Sequence, residues 1–294
     1  MVGKRISAMT CFVSSLTLDL NLINQSLCSG GGRIVQLPMG GGMVRGVTSL
    51  DDELFVLLDR DADQVAVYSI NDYQLLRHIN VPGFKPNSFS DITLCVRYKH
   101  LCISDSCNRC IQACNLNTGA TSQWCVPGEP HGLSETPCGN LLVTCWCLYT
   151  HLNKLVEVSV ESGTFVREIP IPLDIKGPCH AVQLRNGQHV MCHSSFATHV
   201  QRICVMNNDG SITSNYRLCQ RISPSHLVVD ELSQHIYVAD CFMDRIVVMT
   251  PTLEFVHDIC DVSLNLPYRL HLSPTTQRLY VCQHSSVAII HLQL

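Results

Sequence analysis

An all-β fold, a six-bladed β-propeller of four-stranded antiparallel blades, is what the sequence predicts, and three observations lead to it. First, six short apolar strands recur at intervals of 46, 40, 48, 47 and 43 residues, a period typical of propeller blades. Their last residues are Asp59, Asp105, Cys145, His193, Asp240 and Gln283. Second, the segments between them hold further short β-rich runs and lack the three- and four-residue apolar spacing of helices. Third, the last unit lacks one strand, and the N-terminal region holds a strand that belongs to no unit.

Each unit has the same internal order, which the fifth shows best. Its β-rich runs at residues 226–230, 235–240, 245–250 and 255–260 are separated by gaps of turn length. Four consecutive antiparallel strands of this kind are the unit of a propeller blade.

The sixth unit is incomplete, and the N-terminal region supplies a strand that completes it. The unit has three runs, at residues 269–273, 278–282 and 287–294, and lacks an outer strand. The segment Arg33–Pro38, flanked by glycine triplets, is a strand without a unit. We expect this strand to close the ring, because closure removes exposed sheet edges. The propeller then spans residues 29–294, after an N-terminal segment of residues 1–28.

Composition excludes several classes of protein. Hydrophobic residues make up 46% of the chain and charged residues 15%, which indicates a large core and excludes a disordered chain. The formal charge of −4 provides no general attraction to DNA or to an anionic membrane. The apolar run at residues 6–18 is interrupted by Ser and Thr and lacks a clear cleavage motif, so we expect a cytoplasmic protein, with secretion as the alternative.

Cysteine is abundant, with 18 residues, and one stretch resembles a zinc ligand set. Residues 102–114 contain Cys102, Cys107, Cys110 and Cys114. If the stretch is a β-hairpin turning at Asn108, Cys102 lies opposite Cys114, and the other two lie at the tip about 13–16 Å away. One zinc ion cannot span that distance. We therefore expect reduced thiols, a buried Cys102/Cys114 pair, and exposed turn thiols, Cys107 and Cys110, which are the ones to test for redox reactivity.

The fifth unit carries the most specific motif. Its strand 236–240 reads Ile-Tyr-Val-Ala-Asp, four turn residues follow, and Arg245 opens the next strand. This pattern resembles the NHL repeat, and the first two units keep parts of it. Asp240 and Arg245 are expected to pair across the turn, which is a structural role.

The resemblance implies binding more than catalysis. NHL propellers occur at the C-terminus of tripartite-motif proteins, where they bind RNA or protein, and also in the peptidyl-α-hydroxyglycine lyase, which uses channel histidines and a metal. The cysteine and histidine clusters of RING and B-box domains are absent from this sequence, so no ligase role is expected. No nucleophile elbow or phosphate-binding loop occurs, and no catalytic residue is assigned.

The starts of the innermost strands supply candidate ligand residues at the mouth of the central channel. They are Arg45, His131, His180, His226 and Arg269. Three interpretations stay open: a polar channel lining, a site for an anion or carboxylate, and a zinc site formed by the three histidines. Residues 129–133, Glu-Pro-His-Gly-Leu, are also similar to blade starts of streptogramin-lyase propellers, although the two arginines would repel a cation.

The loops on one face of the ring supply candidate partner-binding residues. Aromatic side chains beside arginine are typical of interface hot spots. The candidates are Phe84, Phe89, Arg109, Trp146, Tyr149, Phe196, Arg202, Phe242 and Tyr268. Acidic and basic residues are balanced on this face, which limits nonspecific affinity for RNA, although bases can stack on the rings.

The preferred interpretation is a non-enzymatic, monomeric binding platform that needs no cofactor, recognises a protein partner, and has RNA as a second ligand class. The alternative is a metal-dependent, lyase-like enzyme whose zinc ligands are His131, His180 and His226.

Overall fold

The computed structural model confirms the six-bladed propeller. It describes residues 25–27, 33–39, 42–59, 61, 63–147, 152–194, 201–217, 224–261 and 263–292. Five blades are four-stranded antiparallel sheets, and the sixth has five strands. Within the described ranges, no helix is long and apolar enough to cross a membrane.

The strands follow the predicted order, from the axis outward within each blade. Blade one comprises β3 (Val44–Leu50), β4 (Glu53–Leu58), β5 (Gln64–Ser69) and β6 (Leu75–Asn80). Blade two comprises β7 (Ile92–Cys95), β8 (His100–Asp105), β9 (Cys110–Asn115) and β10 (Thr121–Cys125). Blade three comprises β11 (Pro130–Glu135), β12 (Leu141–Cys147), β13 (Leu152–Val158) and β14 (Phe165–Ile169).

The second half of the ring repeats this plan. Blade four comprises β15 (Pro178–Gln183), β16 (His189–Ser194), β17 (Gln201–Met206) and β18 (Ile212–Arg217). Blade five comprises β19 (Pro224–Val229), β20 (Ile236–Asp240), β21 (Arg245–Met249) and β22 (Phe255–Cys260). Blade six comprises β23 (Arg269–Leu272), β24 (Arg278–Cys282) and β25 (Ser286–His291), followed outward by β2 (Arg33–Pro38) and β1 (Gln25–Leu27).

The N-terminal strand closes the ring as predicted. β2 pairs antiparallel with β25, from Ile34 opposite Ile290 to Pro38 opposite Ser286. The Met39 amide extends this ladder by donating to the Ser285 carbonyl at 3.0 Å. The two ends of the chain therefore share one sheet, and the sequence had not predicted β1, which pairs with β2 on its outer side.

The core lies between blades. Six clusters of buried residues occur in the described part of the chain, one for each pair of neighbouring blades. The middle strands of a blade have both faces covered, so β4 and β20 are buried almost throughout. The outermost strands face solvent, as β6 does along nearly its whole length. The stability of the ring therefore resides in the six interfaces, because each buries apolar side chains from two blades.

Phe84 belongs to one of these interfaces, so its prediction as a partner-binding residue was wrong. The loop that carries it folds back: the Phe84 amide donates to the Val81 carbonyl at 3.2 Å, and the Phe84 carbonyl accepts from the Asp63 amide at 2.9 Å. The ring is fully buried in the core between blades one and two.

The predicted arrangement of the cysteine-rich hairpin was wrong by one residue. Cys114 lies opposite Leu101, and Cys102 lies opposite Ala113, so the two thiols project from opposite faces of the blade. The neighbour of Cys102 is Cys95, in the core between blades two and three. At the tip Cys107 is exposed as expected, but Cys110 is only 4% exposed. The cysteines whose side chains are described are free thiols, as expected.

The motif of blade five forms the predicted ion pair. Arg245 Nε donates to Asp240 Oδ2 at 2.9 Å, and Arg245 Nη1 donates to Asp258 Oδ2 at 2.9 Å. One arginine thus bridges three adjacent strands at the end of the blade.

Candidate functional site

The first strands of the blades begin around the channel axis, at the end we call the channel mouth. β11, β15 and β19 each begin with proline, which cannot donate to a sheet ladder and is tolerated at a strand start. Each has a register shift within its first residues. His180 and His226 lie at equivalent places in these starts, two residues after the proline, whereas Gly132 takes that place in blade three. His131 lies one residue earlier, so the predicted equivalence of the three histidines was wrong.

Two glycines let the first strands approach one another closely. A Cβ added at Gly132 would lie 2.4 Å from the Cys179 carbonyl oxygen, and one added at Gly46 would lie 2.6 Å from Ile92 Cγ2. No real side chain tolerates such distances, so these positions require glycine.

A carboxylate that the sequence had not singled out as a ligand, Asp91, lies at the centre of the mouth and is 2% exposed. Its Oδ2 accepts from the Leu133 amide at 2.9 Å, and its Oδ1 accepts from the Ile92 amide at 3.0 Å. Around it lie Arg269 Nε at 3.4 Å, His226 Nε2 at 3.4 Å and His180 Nε2 at 3.9 Å. A buried carboxylate requires such partners, and here they come from four further blades.

Hydrogen bonds fix the tautomers of both imidazoles. His180 Nε2 donates to the Leu133 carbonyl at 3.0 Å, so the proton resides on Nε2. His226 Nδ1 accepts from the Leu270 amide at 3.4 Å, so its proton is also on Nε2. The two rings stack with centroids 3.6 Å apart. The His226 N–H therefore faces the Asp91 carboxylate, whereas the His180 N–H is used by the Leu133 carbonyl.

The charges follow from burial and from these contacts. Burial acts to raise the pKa of Asp91, but His226, Arg269 and His180 outweigh it and hold that pKa below its usual range. Burial lowers the pKa of His180 and of His226, so both imidazoles are neutral at pH 7. The site is thus an ionised carboxylate beside one guanidinium and one neutral N–H donor, His226, with the neutral His180 ring next to them.

Of the five predicted channel residues, the structure brings His180, His226 and Arg269 together and separates the other two. Arg45 pairs with Asp59 at 3.1 Å. His131 Nε2 donates to the Trp146 carbonyl at 3.2 Å. Asp91 was the missed member, and its signal was present: it is the one acidic residue at the equivalent position of a blade start.

The donor set fits a metal poorly in this arrangement. Ligand atoms of Asp91, His180 and His226 lie within 4.8 Å of one another, and this is the one such group of three found in the described part of the chain. However, both Nε2 atoms carry protons, and the lone pair of His226 Nδ1 is used by the Leu270 amide. The Arg269 guanidinium would also repel a cation. The predicted third ligand, His131, is not in the group.

An aromatic cluster lies beside this carboxylate. The ring centroids of Phe89 and His131 are 4.8 Å apart, those of His131 and Trp146 are 5.5 Å apart, and those of Phe89 and Trp146 are 6.3 Å apart. Phe89 is 42% exposed. Burial, with Arg269 second, lowers the pKa of His131 to about 4, so its ring is neutral. We call Phe89, His131 and Trp146 the mouth cluster.

The remaining partner-binding candidates are divided among different environments. The side chain of Arg109 is 68% exposed and lies 3.6 Å from Glu129, which precedes the mouth cluster in sequence by two residues. Phe242 is 63% exposed on blade five. Arg202 is half-buried on β17, opposite His193, and Tyr268 is half-buried against the core between blades six and one. Tyr149 and Phe196 lie outside the described residues.

A cavity of about 270 Å³ extends from His180 and His226 towards the opposite end of the channel. Residues near the ends of the first strands line it, among them Ser49, Glu135 and His271. His271 Nε2 accepts from the Ser49 amide at 3.0 Å, and this bond joins blades six and one.

No protein-family model and no curated protein matches this sequence. Among solved structures, a putative gluconolactonase is similar with a TM-score of 0.66 and 15% identity over 90% of this chain and 93% of that one. A propeller chain from a nidogen/laminin complex has a TM-score of 0.64 and 14% identity, over 84% and 96% of the two chains. Virginiamycin B lyase from Staphylococcus aureus has a TM-score of 0.62 and 12% identity, over 89% and 100%. Identities this low establish the propeller fold and leave the NHL-type repeat a prediction.

The buried histidines make stability depend on pH. Burial lowers the pKa of His189 and of His193 to about 4 and that of His271 to about 3, alongside His131, His180 and His226. Below pH of about 6.5 the unfolded chain binds protons that the folded protein does not. The free energy of unfolding should therefore fall between about pH 6.5 and 4, by up to about 1.4 kcal/mol per pH unit for each histidine.

Denaturant unfolding at a series of pH values measures this slope. In a His131→Phe variant the slope of the unfolding free energy against pH should be smaller by about the contribution of one proton. His78→Gln, on the exposed strand β6, is the matched control. Equal slopes for wild type and His131→Phe would show that His131 is not held neutral in the folded protein.

Proposed function

We propose that this protein is a non-enzymatic binding platform that recognises a segment of a protein partner at the channel mouth. The observation that carries the proposal is the mouth cluster: three aromatic rings in mutual contact, with Phe89 exposed at its surface. Aromatic side chains that are preorganised by neighbours, with arginine close by, have the composition of interface hot spots.

The electrostatics of the mouth favour a protein ligand over RNA. Arg45, Arg109 and Arg269 each face a carboxylate, at 3.1, 3.6 and 3.4 Å. His131 is neutral at pH 7 because its pKa is lowered. Guanidinium groups that are already paired give little free energy for binding phosphates, which provide most of the affinity of nucleic acids for proteins.

The same pairing argues against catalysis at the channel residues. Asp91, His180 and His226 are buried, and most of their polar atoms already bond to one another or to the backbone. Of the four imidazole nitrogens of this pair, His180 Nδ1 has no hydrogen-bond partner among the described residues. An NHL-type propeller that binds a protein is consistent with the Asp240–Arg245 motif of blade five. A solved propeller in a nidogen/laminin complex is a precedent for this fold in protein binding.

Selection of peptides tests the proposal. Random linear peptides displayed on phage, selected on the wild-type protein, should bind Phe89→Ala or Trp146→Ala at least about 30-fold more weakly, because each substitution removes a ring of the mouth cluster. Phe165→Ala is the matched control, since it removes an exposed ring from the outer strand β14, and its affinity should be unchanged.

Two results would overturn it. Peptides that bind Phe89→Ala and Trp146→Ala as tightly as wild type would place binding elsewhere. The second result comes from filter binding of a random RNA pool at two salt concentrations. Sequence-selective RNA binding that survives moderate salt and is lost in Phe89→Ala would make RNA the ligand class.

A second candidate, a metal-dependent lyase-like enzyme, is favoured by one observation, the convergence of Asp91, His180 and His226. Solved neighbours include a streptogramin B lyase and the virginiamycin B lyase, which are enzymes on this fold. The protonated Nε2 atoms and Arg269 weigh against it.

Metal content separates the two candidates. We expect the purified protein to hold only substoichiometric zinc after dialysis and to gain no thermal stability from added zinc. Stoichiometric zinc that is lost in both His180→Ala and Asp91→Asn, and retained in His78→Gln, would favour the enzyme.

A further inference from the structure

Two cysteines face each other across the outer strands of blade two. Cys110 begins β9, Cys125 ends β10, and the two are direct partners in the antiparallel register. The next pair is Arg109 and Val126, where the Val126 amide donates to the Arg109 carbonyl at 3.5 Å. Because the two kinds of pair alternate, Cys110 and Cys125 form a non-hydrogen-bonded pair, in which Cα atoms are about 4.5 Å apart and side chains are closest. A disulfide needs Cα atoms about 4.4–6.8 Å apart.

The two thiols differ in environment. Cys125 is exposed at the end of the blade, whereas Cys110 is buried. Burial, followed by the charge of Asp105 and by Cys125 itself, raises the pKa of Cys110 to about 11. An oxidant from solution therefore meets Cys125 first, and Cys110 is a protected thiol behind it.

We propose that Cys110 and Cys125 are a redox-active dithiol, which hydroperoxides oxidise to a cross-strand disulfide and dithiol reductants restore. In the first step the Cys125 thiolate attacks the terminal peroxide oxygen and the O–O bond breaks. Cys125 becomes a sulfenic acid, and the other oxygen leaves as hydroxide or alkoxide, which takes a proton from solvent. The Cys110 sulfur then attacks the Cys125 sulfur, the S–O bond breaks, and water leaves with the Cys110 proton. Two electrons pass from the thiols to the peroxide, and thiol exchange reverses the step.

Other described cysteines lack this arrangement. Cys95 and Cys102 are neighbours but both are buried. Cys260 is exposed at the same position of blade five as Cys125 in blade two, but its cross-strand partner is Arg245. Asp240, Arg245 and Cys260 thus match Asp105, Cys110 and Cys125 strand by strand, with a guanidinium in place of the resolving thiol. Cys260 is therefore a built-in control.

The disulfide would tether two segments that contribute to the mouth. Arg109 directly precedes Cys110, and Glu129 follows Cys125 by four residues, and these two side chains lie 3.6 Å apart. Oxidation closes a loop of about 15 residues, which should raise the thermal midpoint of the oxidised protein.

Peptide mapping of the full chain tests the proposal without any partner, so its outcome is independent of the proposed function. The protein is treated with hydrogen peroxide, alkylated and digested with chymotrypsin, which cuts after Leu116 and Trp124 and separates the two cysteines. We expect a pair of peptides joined through Cys110 and Cys125 that dithiothreitol separates. Joining should be faster at higher pH, because Cys110 must lose its proton.

Variants make the result decisive. Cys125→Ser should abolish the joined peptides, and Cys260→Ser should leave their yield unchanged. In Cys110→Ser, Cys125 should advance to sulfinic acid because nothing resolves its sulfenic acid. The proposal is overturned if wild-type Cys125 reaches sulfinic acid without a joined peptide, if it joins Cys107 instead, or if Cys110→Ser leaves the oxidation product of Cys125 unchanged.

Discussion

The arrangement of the channel depends on one buried carboxylate. Asp91 is ionised and almost fully shielded from water, and an ion in that position is tolerated only when other groups replace its hydration. Its partners are a backbone amide of blade three, an imidazole each from blades four and five, and the guanidinium of blade six. Blade one contributes by having no side chain at Gly46, where a Cβ would clash with Ile92. All six blades thus meet around one side chain.

Because the chain supplies its own anion, the imidazoles and the arginine at the mouth are already paired on the side that faces Asp91. The sequence had left open a polar lining, a site for an anion or carboxylate, and a zinc site, and in the structure the carboxylate beside these groups is Asp91 of the chain itself. Arg45 and Arg109 also lie beside carboxylates. The surface that stays available is aromatic and close to neutral, and this is the physical basis for proposing a protein ligand rather than a phosphate-rich one.

Features set by local sequence patterns could be predicted from the sequence, whereas features set by contacts between distant residues could not. The strands could be predicted because the pattern of apolar residues within each repeat is local. The closure of the ring by Arg33–Pro38 followed from counting strands, since the sixth unit lacked one. The predicted pairing of the blade-two hairpin was wrong by one residue because its turn comprises residues 106–109 and is not centred on Asn108. Within this turn Asp105 Oδ1 accepts from the Asn108 amide, and Arg109 adopts a φ of 53°. The prediction for Phe84 was wrong because a loop residue can fold into the core between two blades, and the composition of the loop does not reveal this. The role of Asp91 depends on residues between 42 and 178 positions away, such as Leu133 and Arg269, whose convergence only the closed ring produces.

A double-mutant cycle on the free energy of unfolding tests most directly whether Asp91 is the counter-ion of the mouth. Asp91→Asn leaves the Arg269 guanidinium buried without its opposite charge and should cost about 3–5 kcal/mol. Adding Arg269→Met removes that charge and should restore part of the loss, with a coupling energy of at least about 1.5 kcal/mol. Additivity within about 0.5 kcal/mol, or an Asp91→Asn protein as stable as wild type, would contradict the account.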